Sequence, residues 1–388
     1  LYVVSGGGEF YDGMKPLLDR LYLNDGKGHF VKDTTALPLM YENKSCVRVA
    51  DINQDGYPDL FVGGRANALH YGQIPQSYLL INDGKGHFID ETDKLAPGLS
   101  HIGLVTDAIW TDFNDDGKMD LIVVGEWMPI SFFENDGHGH LINVTQRMGF
   151  AHTQGWWQCI RAADLDGDGK MDYLVGNYGL NTTFKPGRKY PLKLFIGDFG
   201  QNQSESTILS YAKDGKYYPF AGKDLFEQQF PAMMKKKYAA YHDFAGQTMQ
   251  EIFGKSLHRA RVWNAYTFAS VWLHNLGHGK FEMLPLPMGA QVAPVKAFDV
   301  GDFNHDGHPD ILVGGNFYGV WPQEGRYDAN DGIVLTGDGK GHFHTIWPWQ
   351  SGFFVTGEVR DIKTIHRKAD SLIMVARYND RILFFKNK

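Results

Sequence analysis

The chain has 388 residues, 43% of them hydrophobic, and a formal net charge of −7. That length suits one large repeat domain or two ordinary ones with a packed core, and the negative charge argues against a nucleic-acid partner, which would want a basic face. No run of 18 apolar residues occurs, so no helix is expected to span a membrane, and two cysteines give no disulfide framework.

Glycine is abundant, at 46 residues, and falls in turns at regular intervals, which favours many short strands. In chain order, the first unit (1–40) contains NDGKGHF at 24–30, a hairpin whose Asn-Asp-Gly turn supplies positive-φ positions. The turn returns at 82–88, 135–141, 275–281 and 337–343. The second unit (41–97) introduces a nine-residue loop, DINQDGYPD, from Asp51. Copies follow as DFNDDGKMD from Asp112, DLDGDGKMD from Asp164 and DFNHDGHPD from Asp302. Cys46 and Cys159 each stand five residues before the first Asp of a loop, and are expected to be small buried residues rather than a bridged pair.

Positions 1, 3, 5 and 9 of every copy are Asp or Asn, and position 6 is Gly. Alternate side-chain oxygens on a tightly curled loop can converge on a hard cation, with the carbonyl of position 7 as a further ligand. The candidate ligands are Asp51, Asn53, Asp55, Tyr57 and Asp59; Asp112, Asn114, Asp116, Lys118 and Asp120; Asp164, Asp166, Asp168, Lys170 and Asp172; and Asp302, Asn304, Asp306, His308 and Asp310. One such string could be a solvated acidic turn, but four with one skeleton read as four Ca²⁺ sites. Four bound ions would bring the formal charge to +1. An EF-hand places a bidentate Glu at position 12, whereas here Val62, Val123, Val175 and Val313 stand there in apolar runs that read as strands.

Strand, metal loop, strand, Gly-turn hairpin and strand make a four-stranded antiparallel unit of about 50 residues, whose repetition predicts an all-β β-propeller. Seven blades are the best count, at 1–40, 41–97, 98–150, 151–206, 207–288, 289–350 and 351–388, with six and eight staying open. The segment 223–257 has helical spacing and is expected as a helical insertion in one blade. Its apolar face would carry Phe226, Phe230, Met234, Tyr238 and Tyr241, and packing on its own propeller is favoured over docking to another molecule. GDFGQNQSES at 197–206 reads either as a decayed metal loop or as a hairpin. The whole chain is expected to be one propeller domain, part of a longer chain with a further Asp loop before Leu1.

The four loops, with LFVGG, LIVVG, YLVGN and ILVGG after them, resemble the FG-GAP/VCBS repeat family, which includes the integrin α-subunit propeller and large bacterial surface proteins. The resemblance implies a Ca²⁺-stabilised propeller at the cell surface or outside the cell, used for adhesion or ligand binding.

In that topology the metal loops and Gly-turn hairpins share one face, and aromatic connections make the other. Trp127, Tyr178, Tyr318, Trp321 and Arg326 are the candidate ligand-face residues there, for a glycan or protein partner. Trp156 and Trp157 read as structural. Arg48 and Arg161 precede their loops by three residues, and Asp299 takes the same place before Asp302. Arg360 stands in the aligned place before KTIHRKADS at 363–371, which offers Lys, His and Arg where the loops offer Asp. They would line the propeller axis, either as an anion-holding ring or, favoured, each paired with a neighbouring carboxylate. The leading functional reading is a non-enzymatic binding module, with no catalytic residue assigned. A polysaccharide lyase using His70, Tyr71, His152, Arg188 or Arg326 is the alternative, and a structural subunit of a surface assembly is the third.

Overall fold

Each apolar run of this chain is short and closes on Gly or an Asx turn, so strands pair with sequence neighbours and the chain folds into a series of small antiparallel meanders. The structure is a computed structural model describing residues 1–11, 13–200, 204–320, 325–368 and 370–387. Among them there are seven sheets and only short helices. The first sheet joins Tyr2–Val3, Arg20–Asn24 and Phe30–Asp33. The second joins Lys44–Ala50, Asp59–Gly64, Tyr78–Asn82 and Phe88–Asp90 in sequence order.

The third sheet is built from Leu104–Thr111, Asp120–Met128, Ser131–Asn135 and Leu141–Asn143, and the free end of its long second strand also pairs with Gly155–Trp156. Towards the C-terminus a further four-stranded sheet joins Val295–Gly301, Asp310–Gly315, Ile333–Gly337 and Phe343–Ile346 in sequence order. Val359–His366, Ser371–Arg377 and Leu383–Lys386 follow as a three-stranded sheet. In each sheet with an Asp loop, the strand leaving the loop is buried on both faces: Val62, Val123, Val175 and Val313 are fully buried. The position-12 valines are therefore core, as their apolar runs predict.

The consecutive blades expected at 151–206 and 207–288 do not form. Cys159–Ala163 and Asp172–Gly176 pair onward with Val271–Gly277 and Lys280–Pro285, so residues 177–270 are one long connection inside the fourth sheet. That connection folds a sheet of its own from Leu192–Gly197, Ser206–Lys213, Lys216–Pro219 and Arg261–Ala265. Its strand order sets Leu192–Gly197 and Ser206–Lys213 in the middle. The stretch 197–206 is thus the hairpin joining these two strands, although Asn202 and Gln203 lie outside the described residues.

The predicted helical stretch is present as Lys223–Gln229, Pro231–Lys237, Tyr241–Phe244 and Met249–Phe253. Pro231 opens the second of these at its first turn, where a missing N–H costs nothing, and so divides what the periodicity reads as one face. Phe226, Phe230, Met234 and Tyr238 are buried against Phe195, Phe199 and Ile208 of the inserted sheet, while Tyr241 is 63% exposed. The opposite face of that sheet, with Leu194 and Ile196, packs on Trp127, Tyr178 and Phe268.

The first strands of five sheets, together with Val4, line a central cavity of about 580 Å³. Neighbouring sheets are tied across it: Ser45 Oγ donates to the Val105 carbonyl at 2.8 Å, and Thr106 Oγ1 to the Trp157 carbonyl at 2.9 Å. Arg48 pairs with Asp107 of the next sheet, and Arg161 with Asp299 at 3.2 Å. These are the neighbour pairings favoured from the sequence. Arg360 differs, pairing with Glu358 of its own segment at 3.1 Å. Cys46 and Cys159 are buried and unbridged. Among the described residues no helix is long and apolar enough to cross a membrane.

Candidate metal centres and ligand-facing aromatics

Each Asp loop is held by its own carboxylates. The position-1 Asp accepts backbone N–H groups from across the loop: Gly56 to Asp51 at 2.9 Å, Gly117 to Asp112 at 2.7 Å, Gly169 to Asp164 and Gly307 to Asp302 at 3.0 Å. The position-5 Asp accepts the N–H of position 7, from Tyr57, Lys118, Lys170 and His308, at 2.9–3.0 Å. Gly at position 6 has φ between 82° and 89° in all four copies. Position 4 is left-handed too: Gln54, Asp115 and His305 have φ of 60–63°, and only the third loop places Gly there. Sequence reading accounted for the first glycine and missed the second demand.

The position-9 carboxylates do more than offer an oxygen. Asp59, Asp120, Asp172 and Asp310 are essentially fully buried. One oxygen of each accepts the N–H of loop position 2, from Ile52, Phe113, Leu165 and Phe303, at 3.0–3.4 Å. The other accepts an N–H from the Gly-turn hairpin, from Asn82, Asn135, Asn275 and Gly337, at 2.8–3.1 Å. The loop and the hairpin of one sheet are thereby stapled side by side, on one face as expected. The staple also identifies the hairpin belonging to the third loop as the one at Asn275. Burial raises the carboxyls of Asp120 to about 7 and Asp172 to about 6, against the pull of those N–H bonds, and Asp59 and Asp310 shift the same way.

Carboxylate oxygens of Asp112, Asp116 and Asp120, and of Asp164, Asp166 and Asp172, lie within 4.8 Å of one another. These all-oxygen sets fit a hard cation such as Ca²⁺. In the first and fourth loops the Asn side chain at position 3 instead donates to the position-5 carboxylate, Asn53 to Asp55 at 2.9 Å and Asn304 to Asp306 at 2.8 Å. At position 7 the lysine side chains reach back, Lys118 to Asp116 at 3.3 Å and Lys170 to Asp168. Two further side chains touch the loops and were not foreseen: His274 Nε2 lies 2.9 Å from Asp166, and Asn114 donates to Glu134 at 3.3 Å. Both His274 and Glu134 stand one residue before the Asn of a hairpin turn, which is the signal that would have found them.

The four described ligand-face residues, Trp127, Tyr178, Tyr318 and Arg326, do not form one exposed platform. Trp127 and Tyr178 are each 7% exposed and sit in an aromatic cluster, because the inserted sheet covers the connections that carry them. Trp156, expected to be structural, packs edge-on to both, with ring centroids at 5.3 and 4.8 Å. Trp157 is fully buried, as expected. Tyr318 and Arg326 do meet, the guanidinium standing 5.0 Å from the ring centroid. Trp321 lies outside the described residues.

A hydrogen-bonded chain links Trp127 to the second sheet's loop. Trp127 Nε1 donates to the Tyr71 hydroxyl at 2.9 Å, Tyr71 donates to Glu126 Oε2 at 2.9 Å, and Arg65 donates to Glu126 Oε1 at 2.6 Å. Burial disfavours the charge on Glu126, but the Arg65 guanidinium outweighs it and holds the carboxyl below its usual range. His152 packs edge-on to Tyr266, with ring centroids 6.4 Å apart. Among the described residues no hydrogen bond or ion pair joins His70, His152, Arg188 and Arg326, the side chains a lyase would have to bring together.

Residues 1–62 and 112–175 match the family described as FG-GAP-like repeat, and residues 296–336 match the FG-GAP repeat. Each matched stretch contains one or two of the Asp loops. No curated protein matches the chain. Among solved structures the chain is similar to the V. cholerae biofilm matrix protein Bap1 at a TM-score of 0.34 and 11% identity, over 99% of this chain and 76% of that one. A likeness at that level carries no argument about fold or function.

Proposed function

The chain belongs to the FG-GAP repeat family, and from that premise we propose that it is an extracellular or surface-located Ca²⁺-binding β-propeller acting as a non-enzymatic binding module. The observation that carries this reading is the four-fold repeat of one loop, each stapled by a buried position-9 Asp to its neighbouring hairpin. Asp51, Asn53, Asp55 and Asp59, and their counterparts in the other loops, would hold the ions together with the carbonyls of Tyr57, Lys118, Lys170 and His308. The bound ion supplies positive charge that neutralises carboxylates otherwise crowded together.

The five first strands and Val4 around one cavity support a six-blade ring, with the inserted sheet outside it, in place of the seven consecutive blades read from the sequence. The ring and its insertion make one domain in this reading. The partner is a glycan or a protein. Elemental analysis and chelator-dependent melting test the metal reading. A glycan array beside an assay for unsaturated sugar products tests the binding reading, since release of such products would favour a lyase.

A further inference from the structure

Between the inserted sheet, the helix Lys223–Gln229 and the third sheet lies a cleft of about 1060 Å³, roomy enough for a small-molecule or oligosaccharide ligand. One wall is aromatic, made by Tyr71, Trp127 and Trp156. The floor is the central face of the inserted sheet, where Leu194 and Leu209 stand opposite each other and Thr207 faces Ile196. The lip is polar and exposed, carrying Asp224, Gln228, Gln229 and Tyr241. We infer that this cleft binds an uncharged oligosaccharide, a proposal that rests on the binding-module reading and names its site and ligand class.

Three observations carry the inference. First, Trp127 has φ of 61°, a strained left-handed conformation that is a rare outlier for a bulky residue. The strain is held in place by the chain from Trp127 through Tyr71 to Glu126 and Arg65, which fixes the Trp127 and Tyr71 rings before any ligand arrives. Pre-fixed aromatic surfaces are what the C–H faces of a sugar ring pack against.

Second, the lining is electrically neutral. It contains one Lys and one Asp, and each is already engaged: Lys223 with Glu227, and Asp224 with the Tyr241 hydroxyl. The amides of Gln228 and Gln229 offer both donors and acceptors to hydroxyl groups. A polyuronate or another anionic chain would find no free cation here.

Third, the sheet presents its face to the cleft. Leu194, Thr207 and Leu209 lie on the two central strands, whose edges are already paired on both sides. A peptide cannot add itself as a further strand here, which removes the commonest main-chain mode of peptide recognition by a sheet.

The test uses the full chain and the fluorescence of Trp127 and Trp156. Neutral hexasaccharides of glucose, xylose, mannose and N-acetylglucosamine are titrated, alongside hexagalacturonate and an unstructured peptide library. At least one neutral oligosaccharide is expected to give a saturable change. Gly222 lines the cleft with φ of −74° and open space where a Cβ would stand, so Gly222→Trp fills the cleft without backbone conflict. It should weaken binding at least tenfold with an unchanged melting temperature. Gln228→Ala with Tyr241→Ala, both at exposed lip positions, should weaken it several-fold and serves if the tryptophan variant misfolds.

Absence of binding across the neutral panel overturns the inference, as does binding that survives both variants. Binding of hexagalacturonate or peptide alone overturns the ligand class. Mass analysis of the recovered sugar separates this test from the parent reading, because cleavage would end the non-enzymatic reading while leaving the cleft as the sugar site.

Discussion

The position-9 aspartates differ from the other candidate ligands, because each satisfies two buried backbone N–H groups. Asp120→Ala or Asp172→Ala should cost roughly 2–6 kcal/mol, since two donors lose their acceptor at about 1–3 kcal/mol each. That loss should appear in denaturant melts with and without chelator. Asp55→Ala and Asp168→Ala remove exposed carboxylates, each holding one exposed loop N–H, and should lower stability mainly when Ca²⁺ is present, mimicking chelation locally. Equal losses in chelator for both classes would overturn the division. Lys296 gives a second prediction at this scale. It lines the central cavity beside Gln158, and burial lowers its ammonium to about 8. A lysine depressed in the fold binds fewer protons there than in the unfolded chain, so folding gains stability as pH rises from about 8 to about 10, and below that window the buried charge is a constant cost. Lys296→Met should therefore raise the melting temperature at pH 7, with a gain that shrinks towards pH 10. A pH-independent effect would refute the burial account.

At the level of elements, the insertion at 177–270 shows where sequence reading stopped. The Asp loops, the Gly-turn hairpins and the buried strands after each loop were legible because turn chemistry and apolar runs are local signals. The nesting of one sheet inside another was not, because the inserted strands are short runs closed by turns like those of the other sheets, and the deciding bond is non-local. Asp59, Asp120 and Asp310 reach hairpins 23, 15 and 27 residues on, whereas Asp172 reaches Asn275 across 103 residues. The burial of two candidate ligand-face residues was hidden for the same reason: Trp127 and Tyr178 read as exposed loop aromatics until the insertion is placed over them. The helices over the outer face of the inserted sheet carry a prediction of their own. Phe230→Ala should cost about 3–5 kcal/mol and Met234→Ala about 2–5, as for other large-to-small changes in a packed core. If the insertion opens as its own unit, hydrogen exchange in these variants should rise across residues 192–265 while the sheets carrying the Asp loops stay protected. Uniform loss of protection would make the insertion part of one cooperative unit with the sheets carrying the Asp loops.

For the whole molecule, one device recurs along the chain: every Asp loop ties the inner pair of strands to the outer pair of its own sheet through one buried carboxylate. Without cations the four loops bring acids into proximity in a chain whose formal charge is already −7, so repulsion opposes the compact state at each site. The four sites are not alike in this structure. The carboxylates of the loops from Asp112 and Asp164 already converge within 4.8 Å, while Asn53 and Asn304 turn their amides onto neighbouring carboxylates in the other two. Preformed sites bind more tightly because less rearrangement is left to the binding step. Calcium titration of metal-free protein should accordingly saturate at four equivalents in two steps, a tighter pair at the Asp112 and Asp164 loops followed by a weaker pair. Asp116→Ala should remove one equivalent from the first step, and Asp306→Ala one from the second. Excess chelator should lower the melting temperature by several degrees, and restored Ca²⁺ should recover it. Fewer than four ions by elemental analysis would reduce the metal reading to the loops that retain them, and an unchanged melt in chelator would show that the staples hold the sheets without metal.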